Sequence, residues 1–152
     1  MGNRYRLRTA ICHVSSRRCG YPGLHMYGKN IDETTAIDIV LGSVDDLWPS
    51  LRKVVYGETE EIKNAGRKKM EEEDIPSFMN YLTGMLQENA HPFLVGDKLS
   101  LADLAFFNAT EQVAVKFPGF ISKYPEMAKH WDRIADIPII KDWLSKRPVT
   151  EF

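Results

Sequence analysis

From Ile37 onward, apolar side chains recur at three- and four-residue steps: Ile37, Val40, Leu41, Val44, Leu47, Leu51, Val54 and Val55. That spacing gathers them on one face of a helix, because 3.6 residues complete a turn. The same step returns in Ile75, Phe78, Met79, Leu82, Met85 and Leu86, and again after Leu99, Tyr124 and Pro138. Signals for strands, which need a period of two, are negligible. A chain patterned this way has to bury several apolar stripes against one another. It predicts an all-α bundle of five or six helices, joined at proline and glycine breaks. At 152 residues, 43% hydrophobic and 27% charged, it has the length for one domain with a true core, and not the composition of a disordered chain or a rod.

Helix ends can be read from caps and breakers. Asn30 followed by Glu33 has the form of a helix start. Pro49 removes a backbone donor and should bend this first helix, which Gly57 ends. A second helical stretch, about 58–88, has a charged first half that reads as a solvated face, and Pro76 should break or bend it. His91-Pro92 opens an irregular stretch and Gly96-Asp97 a turn.

Next comes Leu99-Ser100-Leu101-Ala102-Asp103-Leu104. Ser100 is placed as an N-cap whose hydroxyl accepts from the Asp103 amide, while the Asp103 carboxylate reaches back to the Ser100 amide. Leu99 and Leu104 stand at the staple positions. Both polar residues are therefore read as folding residues, not catalytic ones. The capped helix runs to about Lys116, and its alanines (Ala102, Ala105, Ala109) suit the central, most buried element. Tyr124-Pro125 opens a helix with Met127, Trp131 and Ile134 inward and His130 beside them as a core or boundary histidine. Pro138 opens a last one with Ile139, Ile140, Trp143 and Leu144 inward, closed by Arg147-Pro148.

Charge divides the chain in two. Residues 1–31 hold six basic side chains and no acid; the remaining 121 hold 14 basic and 21 acidic ones, summing to −7. The expected organisation is an irregular basic extension over 1–29 and a helical domain over 30–152. An acidic body carries no electrostatic footprint for nucleic acid, and no run of eighteen apolar residues provides a membrane span. The extension is rich in arginine and serine like a transit peptide but lacks a coherent apolar face. Cys12, His13, Cys19 and His25 match no zinc-ligand spacing, so no metal is expected. Arg6 occupies the place where myristoylation needs serine or threonine. Two cysteines suit a reducing, cytoplasmic setting.

From about Met26 to Phe152 the chain resembles the C-terminal helical domain of a cytosolic glutathione transferase, sigma-like and of nematode type. The matching pieces are Tyr27-Gly28-Lys29-Asn30, Ile37-Asp38-Ile39-Val40, Val44-Asp45-Asp46-Leu47, and Phe93-Leu94-Val95-Gly96-Asp97-Lys98-Leu99-Ser100-Leu101-Ala102-Asp103. The ending Ile137-Pro138 through Trp143-Leu144 to Arg147-Pro148 fits as well. The resemblance implies a two-domain enzyme. A thioredoxin-like N-terminal domain holds glutathione and stabilises its thiolate with a tyrosine hydroxyl. The helical domain walls the electrophile pocket and builds much of a dimer interface. A thiol with pKa near 8.5 is mostly protonated at pH 7, so stabilising the thiolate is the catalytic need.

The residues of that first domain are not found here: Leu7 and Arg8 stand where the family's glutathione-binding Gln-Ser pair belongs. The resemblance therefore implies a truncated form with no catalytic residue of its own and no cofactor beyond glutathione as co-substrate. By the same resemblance, Asp46, with Asp45, reaches across a dimer to the glutathione amino group, a charge-assisted hydrogen bond. A cation bound with Asp38 would want a further carboxylate where Gly42 stands. Trp48, Leu51, Arg52 and Phe152 are the electrophile-pocket candidates. The implied partners are a second copy or a related transferase, and hydrophobic small molecules; the alternative is a non-catalytic helical dimerisation or ligand-binding module.

Overall fold

The computed structural model describes residues 26–147, and every regular element among them is helical. Six α-helices follow in order: α1 (Ile31–Tyr56), α2 (Glu60–Lys69), α3 (Ile75–Glu88), α4 (Leu101–Lys116), α5 (Pro125–Ala135) and α6 (Pro138–Lys146). A π turn, Met70–Asp74, joins α2 to α3 without a break, and a short 3-10 turn, Phe120–Lys123, precedes α5. The bundle is thus five continuous helical rods. Residues 1–25 of the basic extension, with Cys12, His13, Cys19 and His25, lie outside the described residues, as does Phe152.

The starts are set by the expected side chains. Asn30 Oδ1 accepts the Glu33 amide at 2.9 Å, and Glu33 reaches back one residue further than a standard box, to the Lys29 amide at 2.7 Å. Thr59 caps α2. Pro125 and Pro138 stand at the first positions of α5 and α6, where a missing N–H leaves no bond unmade. Gly57 ends α1, its amide bonding the Lys53 carbonyl at 3.0 Å.

Two expectations are corrected. Pro76 does not end its segment: it sits in the first turn of α3, directly after the π turn. The preceding turn widens instead, with the Ile75 amide bonding the Met70 carbonyl five residues back. This carries Met70 into the core and leaves Glu71, Glu72 and Glu73 in solvent. The second correction concerns α6. Ile140 and Leu144 pack toward the core as expected, but Ile139 is 78% exposed and Trp143 57% exposed.

The core joins Ile37, Val40, Val44, Leu47 and Leu51 of α1 to Phe78, Met79 and Leu82 of α3, and to Phe106, Ala109 and Val113 of α4. Just past Pro49, α1 and α2 approach so closely that a Cβ on Gly66 would lie 2.8 Å from Lys53 Cβ and 3.1 Å from the Ser50 carbonyl oxygen. Helix α4 has eight buried residues and is the central element. None of the described helices is long and apolar enough to cross a membrane.

Candidate functional site

Three arrangements of polar side chains stand out, and they lie on different parts of the bundle. The first is an acidic strip on α1. Asp45 and Asp46 are both exposed, next to Val44 and Leu47, which hold that turn in the core. Asp38, two turns earlier, receives the Tyr27 hydroxyl. Gly42 lies between them in open space, with nothing within 4 Å of where a Cβ would be. No group of three or more metal-ligating side chains occurs among the described residues.

Three of the four pocket candidates lie on this same helix, and they fall on both sides of it. Trp48 and Leu51 are buried in the core, and Arg52 projects outward, its Nε 3.4 Å from the Trp48 carbonyl. Phe152 lies outside the described residues. Helical geometry explains the split: Trp48 and Leu51 share the stripe of Val44 and Leu47, whereas Arg52 is turned about 100° from Leu51.

The second arrangement is a buried polar knot at the start of α4. The reciprocal capping box of Ser100 and Asp103 is present. Asp103 Oδ2 accepts both the Ser100 amide and the Ser100 hydroxyl at 2.8 Å, and Oδ1 accepts the Leu94 amide at 2.9 Å. His130 of α5, fully buried, places Nε2 3.0 Å from the same Oδ1, although off the line of a straight N–H···O bond. Its Nδ1 faces an Arg133 guanidinium nitrogen at 3.3 Å, and that nitrogen donates to the Pro92 carbonyl at 2.8 Å. A cationic donor at Nδ1 assigns the proton to Nε2, facing the carboxylate. One buried carboxylate thus ties together the 92–94 loop, the start of α4, and α5. Sequence reasoning identified the box but missed His130 as its partner; a histidine on the apolar side of a helix was the available signal.

The third arrangement holds the linker ahead of α1. The Met26 carbonyl accepts the Leu101 amide at 2.8 Å, the Tyr27 carbonyl accepts the Thr34 hydroxyl at 3.0 Å, and Lys29 Nζ pairs with Asp97. The Lys29 ammonium, donating to Asp97, holds its carboxyl below the usual carboxylate range. Gly96 takes a positive φ of 69°, which brings the loop under the Glu33 carboxylate. A cleft of about 570 Å³ opens here, lined by Met26, Lys29, Glu33, Val95, Asp97 and Lys98 among others. The cap residue Ser100 lines it, whereas Asp45, Asp46, Trp48, Leu51 and Arg52 do not. On α5, the approach is tied to α3 by Gln87 Nε2, which donates to Glu126 at 2.8 Å.

None of these places assembles a nucleophile with a base and an orienting partner. The arrangement can hold a helical surface rigid and present carboxylates from α1.

Comparison with known proteins agrees. Residues 45–147 match the family "Glutathione S-transferase, C-terminal domain". The glutathione S-transferase class-mu 28 kDa isozyme of Schistosoma mansoni is 30% identical over 84% of this chain and 61% of its own length. Glutathione S-transferase 3 of Caenorhabditis elegans is 28% identical over 99% of this chain and 72% of its own. Among solved structures, a prostaglandin synthase D of Nilaparvata lugens superposes with a TM-score of 0.74 at 26% identity, over 82% of this chain and 62% of that one. The monomeric Na-GST-3 of the hookworm Necator americanus gives 0.71 at 27%, over 84% and 63%. The chain therefore spans less than two-thirds of the Schistosoma relative and of both solved structures. The chain belongs to the glutathione S-transferase family and carries its C-terminal helical domain.

Proposed function

We propose that this chain is the ligand-enclosing helical half of a glutathione transferase, acting in the cytoplasm on hydrophobic electrophiles once a thiol-activating half is beside it. The observation that supports this most is the family match over 45–147, laid on a bundle whose α1 presents Asp45 and Asp46 to solvent. In this reading, Asp46, with Asp45 next to it, accepts a hydrogen bond from the glutathione ammonium across a dimer with a second copy or a related transferase. Such a charge-assisted bond contributes about 1.5–3 kcal/mol. Arg52 and Phe152 edge the electrophile pocket, and Trp48 and Leu51 form its floor from within the core. Glutathione enters as co-substrate, and no metal takes part.

The test uses this chain together with a thioredoxin-like half from a relative, and chlorodinitrobenzene as electrophile. Asp46→Ala should raise KM for glutathione about tenfold while leaving the thermal midpoint unchanged. An unchanged KM would return Asp46 to the role of a solvated surface acid.

A second reading is favoured by the exposed apolar side chains of Ile139 and Trp143 on α6. The chain would then be a non-catalytic module for dimerisation or ligand binding. Binding of a hydrophobic dye without conjugation, even with the thiol-activating half present, would select it.

A further inference from the structure

A second cleft, of about 320 Å³, opens where the C-terminal end of α3 meets α5. Helix α5 lines it with Glu126, Lys129 and Arg133, which follow at helical spacing, and the loop after α3 adds His91 and Pro92. Three basic side chains thus meet one acid, in a body whose residues 32–152 sum to −7. That one acid is turned to another partner. Glu126 Oε2 accepts Gln87 Nε2 at 2.8 Å, and Glu126 makes no ion pair with Lys129, three positions on. Glu60 and Lys63, at the same spacing, do pair, at 2.8 Å. The Lys129 ammonium and the His91 ring are therefore uncommitted among the described residues.

The donors are held in place before any ligand arrives. Arg133 Nη1 is fixed by the Pro92 carbonyl and His130 Nδ1, and the other guanidinium nitrogens make no hydrogen bond among the described residues. His91 is set by Asn89, whose Oδ1 accepts the His91 amide at 3.3 Å while its Nδ2 donates to the Phe93 and Gly96 carbonyls, both at 2.9 Å. Donors fixed in this way lose little freedom on binding. A planar guanidinium offers paired N–H groups to an oxyanion, and an ammonium adds a point charge. Three donor groups from two elements suit the three terminal oxygens of a phosphate monoester better than the two of a carboxylate. Leu86 and Pro92 supply apolar atoms for the rest of a ligand, and the volume lies at the small end for ligand sites. We infer that the cleft between α3 and α5 binds a small phosphate monoester, its phosphate oxygens taken by Arg133, Lys129 and His91. The inference is independent of the thiol chemistry proposed above.

The experiment titrates phenyl phosphate into the full 152-residue chain at fixed pH and ionic strength, with chloride making up the salt, and follows the histidine ring protons by NMR. The resonance absent from His91→Gln is that of His91. It should move saturably, with a Kd of about 1 mM. Inorganic phosphate, which lacks a ring to cover Leu86 and Pro92, should bind at least about threefold more weakly. Lys129→Gln should weaken phenyl phosphate about tenfold, and Glu126→Gln should tighten it about threefold by removing the opposing charge. Lys68→Gln, on α2, should leave it within about twofold. All three of these side chains are exposed, so the variants should keep the parent's helicity. An unmoved His91 resonance, or a Kd that Lys129→Gln leaves at the parent's value, overturns the proposal. Vesicles of phosphatidylcholine with phosphatidic acid carry the same group on a lipid surface, and the chain should stay in the supernatant when they are pelleted. Sedimentation with them would make the ligand a membrane headgroup and overturn the small-molecule assignment.

Discussion

Helices α4 and α6 are both rich in apolar residues, yet they differ in nearly everything else. Helix α4 opens on a buried carboxylate that accepts three hydrogen bonds and buries eight of its residues. Helix α6 opens on a proline without a side-chain cap and buries none. The difference teaches that an apolar stripe specifies that something will cover a helix, without specifying that the cover comes from the same bundle. In α4 the cover is α1, α5 and the 3-10 turn over most of the circumference. In α6 half of the arc, Ile139 and Trp143, is exposed.

The largest expected effect breaks the α4 side of this comparison. Asp103→Ala leaves the Leu94 and Ser100 amides and His130 without their buried acceptor, and stability measured by urea unfolding should fall by about 3–5 kcal/mol. A loss below about 1 kcal/mol would mean that the knot at Asp103 does not anchor the bundle. His130→Leu keeps the capping box but removes its partner on α5 and the link to Arg133; a loss of about 1–3 kcal/mol is expected in the same experiment. Ser100→Ala should cost about 0.5–2 kcal/mol, read as a lowered midpoint with an unchanged slope.

On the α6 side the effects should be small. Trp143→Ala removes a ring that covers little, so unfolding of the isolated chain should change by no more than about 0.5 kcal/mol. A loss like that of a core tryptophan would show that α6 is packed more completely than its exposure indicates. Smallest of all is the linker latch. Lys29 lowers the Asp97 pKa in the folded state, so this pair adds stability above the ordinary carboxylate range and loses it as pH falls through the lowered value. Acid unfolding of Lys29→Ala should therefore converge on the parent at the lowest pH and separate from it toward neutrality. A constant offset at all pH values would remove the ion pair from the account.

Much of this fold is legible in the sequence because it is local. Asn30, Ser100, Pro125 and Pro138 act within one turn of themselves, and each stands at a helix start. The π turn is not legible, because its residues Glu71 to Asp74 are mostly exposed and carry no apolar register that a one-residue insertion would visibly shift. Nor is the pairing of His130 with Asp103, 27 positions apart in the chain, since periodicity reports a face and not a neighbour. Trp143 and Ile139 show the same limit: their spacing is correct for an apolar stripe, and only packing reveals that α5 covers the other edge. For the site, the family resemblance named Asp45 and Asp46, and both are exposed. Trp48 and Leu51 were also named, but their burial comes from serving the α1 core stripe at the same time.

The division of labour between binding surface and sulfur chemistry can be tested in one assay. Purified 152-residue chain is mixed with glutathione and chlorodinitrobenzene, and product is followed against chain concentration. The account predicts a rate equal to that of the two reagents in buffer, at every chain concentration. Turnover that saturates in glutathione and rises in proportion to the chain would contradict it, because these helices would then be activating the thiol themselves.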